Sequence, residues 1–254
     1  MKTRILTLSA PLPARIRLAV CADFHSAYRP MHVEKTLRRL GDAHPDLILC
    51  PGDFFNYSDE FSVHDYANRN ALAFLTGAAA LAPTFFSTGN HDRGLSAENR
   101  RILEEAGVTP LMNTFVHHGP LVIGGLSSAG PVGRHKLRPQ DLPDCGTFLD
   151  DFAREPGVSV LLCHHPEYWE PLVGGRGIAL TVSGHAHGGQ WRFFGRGIYA
   201  PGQGLFPRYT SGLYRSGAET LAVSRGMTNS IPLIPRFFNP TELLFIDLVP
   251  EAAL

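Results

Sequence analysis

A chain of 254 residues, 44% of them apolar, has enough apolar surface for one large α/β domain and would be tight for two, so residues 1–254 are read as a single domain. Its 23 basic residues balance 23 acidic ones, which excludes the global field that gathers nucleic acid, so no stable nucleic-acid complex is expected. No stretch approaches the roughly 20 apolar residues of a spanning helix.

Ile5 to Leu8 is apolar, but Pro11, Pro13, Arg15 and Arg17 follow at once. That run is too short for a signal peptide. The four cysteines, Cys21, Cys50, Cys145 and Cys163, show no C-x-x-C spacing, and all but Cys145 lie in apolar runs. They read as reduced packing residues of a cytoplasmic protein.

In chain order, Ile16 to Ala22 is apolar at nearly every position, the pattern of a strand buried on both faces, and it ends at Asp23-Phe24-His25. Val33, Leu37 and Leu40 recur at helical spacing, with Gly41 as the stop. Asp46 to Cys50 predicts a second strand, breaking at Pro51-Gly52-Asp53. Tyr66 to Leu81 predicts a helix with Gly77 as a local weakness. Pro83 to Ser87 predicts a third strand, stopping at Gly89-Asn90-His91-Asp92.

Ser96 and Gly107 read as the N-cap and stop of another helix. Thr114 to Val116 and Leu121 to Leu126 predict a hairpin with His117 and His118 in its turn. Residues 129–144 are rich in Gly, Pro and charge and predict a loop. Val158 to Cys163 predicts a strand ending at His164-His165-Pro166. Ile178 to Val182 predicts another, ending at Gly184-His185-Ala186-His187. Beyond it come short β-like runs (191–194, 197–199, 219–224 and 242–249) and no helix.

Five strands thus end in metal-binding residue types: Asp23 and His25, Asp53, Asn90 with His91, His164, then His185 and His187. Carboxyl ends of strands in α/β sheets are where ligand sites form, so repetition at one structural position outweighs any single motif. Imidazole, carboxylate and one amide, without thiolate, suit manganese, zinc or iron. Eight candidate groups exceed the needs of one ion. Two divalent ions therefore fit better, with a carboxylate between them, and Asp53 is central in sequence.

The set Asp23-Phe24-His25, Gly52-Asp53, Gly89-Asn90-His91-Asp92, His164 and Gly184-His185-Ala186-His187 resembles the calcineurin-like metallophosphoesterase superfamily. The segments 188–190, 199–207 and 211–214 resemble its bacterial branch of small phosphodiesterases. The resemblance implies a four-layer α/β/β/α sandwich of two mixed sheets. It implies that Asp23, His25 and His187 hold one metal, that Asn90, His164 and His185 hold another, and that Asp53 bridges. His91 would be the catalytic histidine and Asp92 its orienting partner.

The implied activity is hydrolysis of a small phosphoester, mono- or diester, by metal-activated water with His91 as general acid. A second reading is a pyrophosphatase acting on a nucleotide-linked lipid precursor. A third, from a different class, is a binding scaffold with a depleted metal site, but no ligand position is missing.

From Gly188 to Pro240 there are six arginines and one acid, Glu219. Arg208 and Arg215, beside Tyr209 and Tyr214, are the candidates for binding a second anionic group of a substrate that has a nucleotide or lipid moiety. His165 is read as pointing away from the site in a supporting role. Tyr168 and Trp169 read as packing, and His32, His44, His64 and His135 have no motif around them.

Overall fold

The computed structural model describes residues 1–25, 32–55, 68–92, 95–128, 136–229 and 235–251. In chain order the elements are β1 (Lys2–Ala10), β2 (Ile16–Val20), α1 (Val33–Gly41), β3 (Leu47–Cys50), α2 (Arg69–Ala79), β4 (Thr84–Phe86), α3 (Ala97–Glu105) and β5 (Val108–Pro110). There follow β6 (Thr114–His118), β7 (Leu121–Leu126), α4 (Phe148–Arg154), β8 (Val158–Cys163) and β9 (Leu180–Ser183). The last are β10 (Arg192–Phe193), β11 (Arg196–Gly197), β12 (Tyr199–Ala200), β13 (Gly204–Leu205), β14 (Gly212–Ser216), β15 (Glu219–Val223) and β16 (Glu242–Pro250).

Two six-stranded mixed sheets carry the fold, in the orders β1-β16-β2-β3-β4-β5 and β14-β15-β9-β8-β7-β6. The strand period of two divides each central strand between two cores. In β2, Leu18 and Val20 face Ile123, Val160 and Val182 of the other sheet, whereas Ala19 turns outward toward Leu40 of α1 and Phe74 of α2. In β8, Val160 and Leu162 face inward, and Leu161 and Cys163 pack outward with Phe148 and Phe152 of α4. The result is the four-layer α/β/β/α sandwich. Central strands are sealed on both faces, so the polar groups at their ends gather at the lip of the sandwich.

Several details go beyond the sequence reading. β1 pairs in parallel with β16 from Lys2 opposite Glu242 to Ala10 opposite Pro250, a partner that no local pattern announces. α4 interrupts a region with no helical signal, because its seven residues are too few to show a period. A turn of 3-10 helix at Pro139–Asp141 lies in the part of the expected 129–144 loop that is described. α2 begins at Arg69, after Asn68; Tyr66 and Ala67, and also His64 and His135, lie outside the described residues.

Gly77, which weakens α2 locally, is where the side chain of Leu37 on α1 approaches so closely that a Cβ would overlap it. Ser96 Oγ accepts the Asn99 N–H at 3.1 Å, capping α3 as expected. His117 and His118 are in β6 and not in the turn: His117 meets Glu155 at 2.9 Å, and the His118 ring packs on Phe85. Tyr168 and Trp169 are buried in the outer core of the second sheet.

Candidate metal centre

The loops after β2, β3, β4, β8 and β9 converge. Parallel pairing sets their heights: Asp23 N–H donates to Gly52 O at 3.1 Å and His25 N–H to Asp53 O at 3.0 Å, continuing the β2–β3 ladder past its end. Gly184 N–H likewise donates to His164 O at 3.1 Å.

Five of the converging residues, Asp23, His25, Asp53, His185 and His187, hold φ between 46° and 62°. That region is strained for non-glycine residues, and such strain persists where the surroundings over-determine it, as at ligand sites.

The two carboxylates are wired alike. Asp53 Oδ1 accepts the His91 N–H at 2.8 Å, and its Oδ2 lies 3.1 Å from His164 Nε2 and 3.6 Å from His25 Nε2. Asp23 Oδ1 accepts the His185 N–H at 2.9 Å and lies 3.9 Å from His187 Nε2, whereas its Oδ2 is buried without a hydrogen bond. Candidate ligand atoms fall into overlapping groups within 4.8 Å: Asp23, His25 and His187; His25, Asp53 and His91; Asp23, Asp53 and His164; His164, His165 and His185. No cysteine belongs to any of them, and Cys21, Cys50 and Cys163 are buried, with Cys21 pushed up to about 12 by burial.

The residues present fit a cation. His164 Nδ1 donates to Pro51 O at 2.9 Å, and a carbonyl can only accept. That leaves Nε2 turned toward Asp53 Oδ2 across 3.1 Å. A proton or a metal must lie between them. Glycines make room for the neighbouring carboxylate: a Cβ on Gly184 or on Gly226 would sit 2.7 Å from Asp23 Oδ2.

Charge follows the same logic. Burial raises Asp23 to about 7, with the Asp53 charge adding to it. Burial opposes ionisation of Asp53 too, but His164 and His25 hold it well below the usual carboxylate range. Burial lowers His25 to about 3 and takes His185 and His187 well below their ordinary value, so all three are neutral imidazoles, the form that binds metals. His164 is the exception: burial lowers it, but Asp53 wins and raises it to about 9.

Other expected site residues fall as follows. Asn90 and His91 are half-buried on the loop after β4, with the His91 ring 4.8 Å from that of His25. Asp92 has work other than orienting His91. Its Oδ2 accepts the N–H of Asp53 and Gly89 at 2.6 and 2.8 Å, and its Oδ1 those of Phe54 and Phe55 at 2.9 and 2.8 Å. Four donors fill the acceptor positions of one carboxylate.

His165 does not point away. Its ring is 4.3 Å from that of His185, yet both its nitrogens are engaged, Nδ1 with Glu167 Oε1 at 3.2 Å and Nε2 with Ser128 Oγ at 2.7 Å. Arg208 is exposed, bonded to Glu170 and stacked over Tyr209, and Arg215 is exposed on the edge strand β14.

Three residues at the site carry no signal in the sequence. Glu167 is buried, with Oε1 3.4 Å from His185 Nε2. Its only mark is a carboxylate two residues past His165. Arg236 Nη2 lies 3.0 Å from His187 Nδ1, and Arg236 also donates to the carbonyls of Arg225 and Thr228. Asn239 Nδ2 donates to His187 O at 2.7 Å. Both lie about fifty positions from His187, beyond the reach of any spacing argument.

A buried set of imidazoles and two carboxylates on the strand-end loops of a two-sheet α/β sandwich makes a candidate metal centre. The chain belongs to the calcineurin-like phosphoesterases, whose family model matches residues 16–189. An uncharacterized metallophosphoesterase of Helicobacter pylori is 26% identical over 94% of this chain and 61% of its own length. The chain thus spans about three-fifths of that relative. The phosphodiesterase YaeI of Escherichia coli is 29% identical over 84% of this chain and 76% of its own. Among solved structures, a candidate 5′-nucleotidase of Staphylococcus aureus superposes with a TM-score of 0.51 at 13% identity, covering 94% of this chain and 55% of that one. That likeness is one of fold.

Proposed function

We propose that the chain hydrolyses a small phosphoester with two divalent metal ions held by the strand-end loops. The observation that carries this is the set of overlapping, mostly buried groups of imidazole and carboxylate atoms within 4.8 Å of one another, with His164 Nε2 and Asp53 Oδ2 3.1 Å apart. Asp23, His25 and His187 would hold one ion, and Asn90, His164 and His185 the other. Asp53 lies between them, within 3.6 Å of His25 Nε2 and 3.1 Å of His164 Nε2. When bound, such ions activate water as a nucleophile and neutralise charge growing on the phosphoryl oxygens.

The chain's own residues do the rest. His91, half-buried beside His25, is placed to give a proton to the leaving oxygen. Asp92 holds the Asp53 loop in its strained conformation, and Arg236 and Asn239 hold the His187 loop.

A substrate panel of phosphomonoesters, phosphodiesters, cyclic nucleotides and nucleotide-linked lipids, with manganese, zinc or iron added, tests the proposal. Metal-dependent release of phosphate or of a phosphomonoester is the expected result. A protein that binds no transition metal after loading is a binding scaffold instead.

A further inference from the structure

Beside the metal centre is a surface that the chemistry above does not use. Among the described residues, nine large apolar side chains are exposed, and six of them, Phe193, Phe194, Leu205, Phe206, Phe237 and Phe238, come from segments that meet. The Phe193 and Phe238 rings are 5.8 Å apart. Arg192 N–H donates to Phe237 O at 3.0 Å and Phe206 N–H to Ile198 O at 2.8 Å. Phe206 also shares a cleft with Gly195 and Arg196.

Three of these phenylalanines are doubly unfavourable in a water-facing turn. Phe194, Phe206 and Phe238 hold φ of 48°, 53° and 51°, where glycine or asparagine is at ease and a bulky side chain is not. Each presents its ring outward, Phe206 and Phe238 at 79% exposure and Phe194 entirely.

The surroundings are basic. Arg196, Arg208 and Lys136 lie on one side, with Lys136 next to Gly204, and Lys2 lies beside Phe238 on the other. Among the described residues, two acids are placed there: Glu170 is bonded to Arg208, and the buried Glu242 lies opposite Lys2. In a chain of zero net charge this positive rim is local. Phe237 and Phe238 stand between Arg236 and Asn239, the two residues tied to His187, so the apolar tips and the metal centre are parts of one rigid assembly.

We propose that these turns dock the protein on a lipid bilayer with anionic headgroups, the phenylalanine tips entering the interface and the basic rim meeting the headgroups. Protruding aromatic rings flanked by arginine and lysine match the two phases of that boundary, apolar below and anionic at its surface. The proposal concerns where the site works and stands apart from the reaction it performs.

The test is flotation of the full chain with vesicles of phosphatidylcholine alone and of phosphatidylcholine with about one-third phosphatidylglycerol. The wild type should float with the anionic vesicles, less so as salt is raised. A triple variant, Phe194→Asn, Phe206→Asn and Phe238→Asn, suits positive φ, so its melting temperature and metal content should be unchanged. Its partitioning should drop by on the order of tenfold or more. Arg196→Glu alone should reduce the preference for anionic vesicles and serves if the triple variant folds poorly.

The proposal is overturned if the wild type stays with the unbound fraction, or if the folded triple variant floats as well as the wild type. It is also overturned if light scattering shows a dimer that the triple variant abolishes, since a second copy then covers the surface.

Discussion

Asp92 supports the Asp53 loop from beneath: its Oδ2 accepts the Asp53 N–H at 2.6 Å, and three further backbone N–H groups complete the cradle. Asp92→Asn would turn an NH2 toward donors that now find an acceptor. The expected cost is about 1–3 kcal/mol of stability, with metal affinity weaker by roughly tenfold although every ligand remains. Thermal melts and metal titration measure both. If Asp92 instead orients His91, the variant will keep its metal affinity and show only the kinetic defect of His91→Ala.

Asp53→Ala should release metal from both sides of the site together, because its carboxylate is the group within 3.6 Å of His25 and 3.1 Å of His164. Elemental analysis and activity should decline in parallel. Cys21→Ala, Cys50→Ala and Cys163→Ala should leave metal content as it is. Retention of full metal by Asp53→Ala would place the bridge elsewhere.

His91→Ala should separate chemistry from binding. General acid catalysis contributes roughly 10²- to 10⁴-fold, so kcat should fall by that order for a diester with a poor leaving group and much less for a nitrophenyl ester. Metal content should persist. Equal losses for both leaving groups would assign His91 to holding the phosphate, and loss of metal would make it a ligand.

Gly184→Ala tests the space around Asp23. The added methyl would lie 2.7 Å from Asp23 Oδ2 and 2.8 Å from Ala22 Cβ, in a site whose backbone is tied on both sides. Overpacking of this kind costs about 1–3 kcal/mol and should displace the Asp23 carboxylate. Calorimetry and metal titration should both register it; an unchanged metal affinity would mean that Asp23 is not a ligand.

Asp247 joins β16 to β2 through Arg17, with Nε donating to Oδ1 at 2.7 Å and Nη2 to Oδ2 at 2.8 Å. The Arg17 hydrogen bond lowers the Asp247 carboxyl below its ordinary value. A depressed acid stabilises the fold above the unfolded carboxylate range, and the contribution is lost as pH falls through the lower folded value. Asp247→Asn should thus destabilise by about 1 kcal/mol at pH 7, and the gap to wild type should close below about pH 4. A gap independent of pH would mean packing, not charge, is at stake.

The sequence by itself determined the strands and where they stop. Leu18, Val20, Val160 and Val182 are apolar because both faces of their strands are covered, and the chain turns polar at Asp23, Asp53, Asn90, His164 and His185 because there the strands stop and their loops converge on one site. Period and punctuation are local, so they are legible in a line of residues.

Only the tertiary structure decided which groups meet. The β1–β16 pairing joins residues 2–10 to 242–250, and Arg236 and Asn239 reach His187 from about fifty positions away. Asp92 looks like a neighbour of His91 in sequence, but its carboxylate turns under the Asp53 loop, since four backbone donors there lack other acceptors. Arg208, a candidate anion binder in the sequence, pairs with Glu170 at the surface. Side-chain direction and long-range contact follow from how the two sheets pack, and that information is spread over the whole chain.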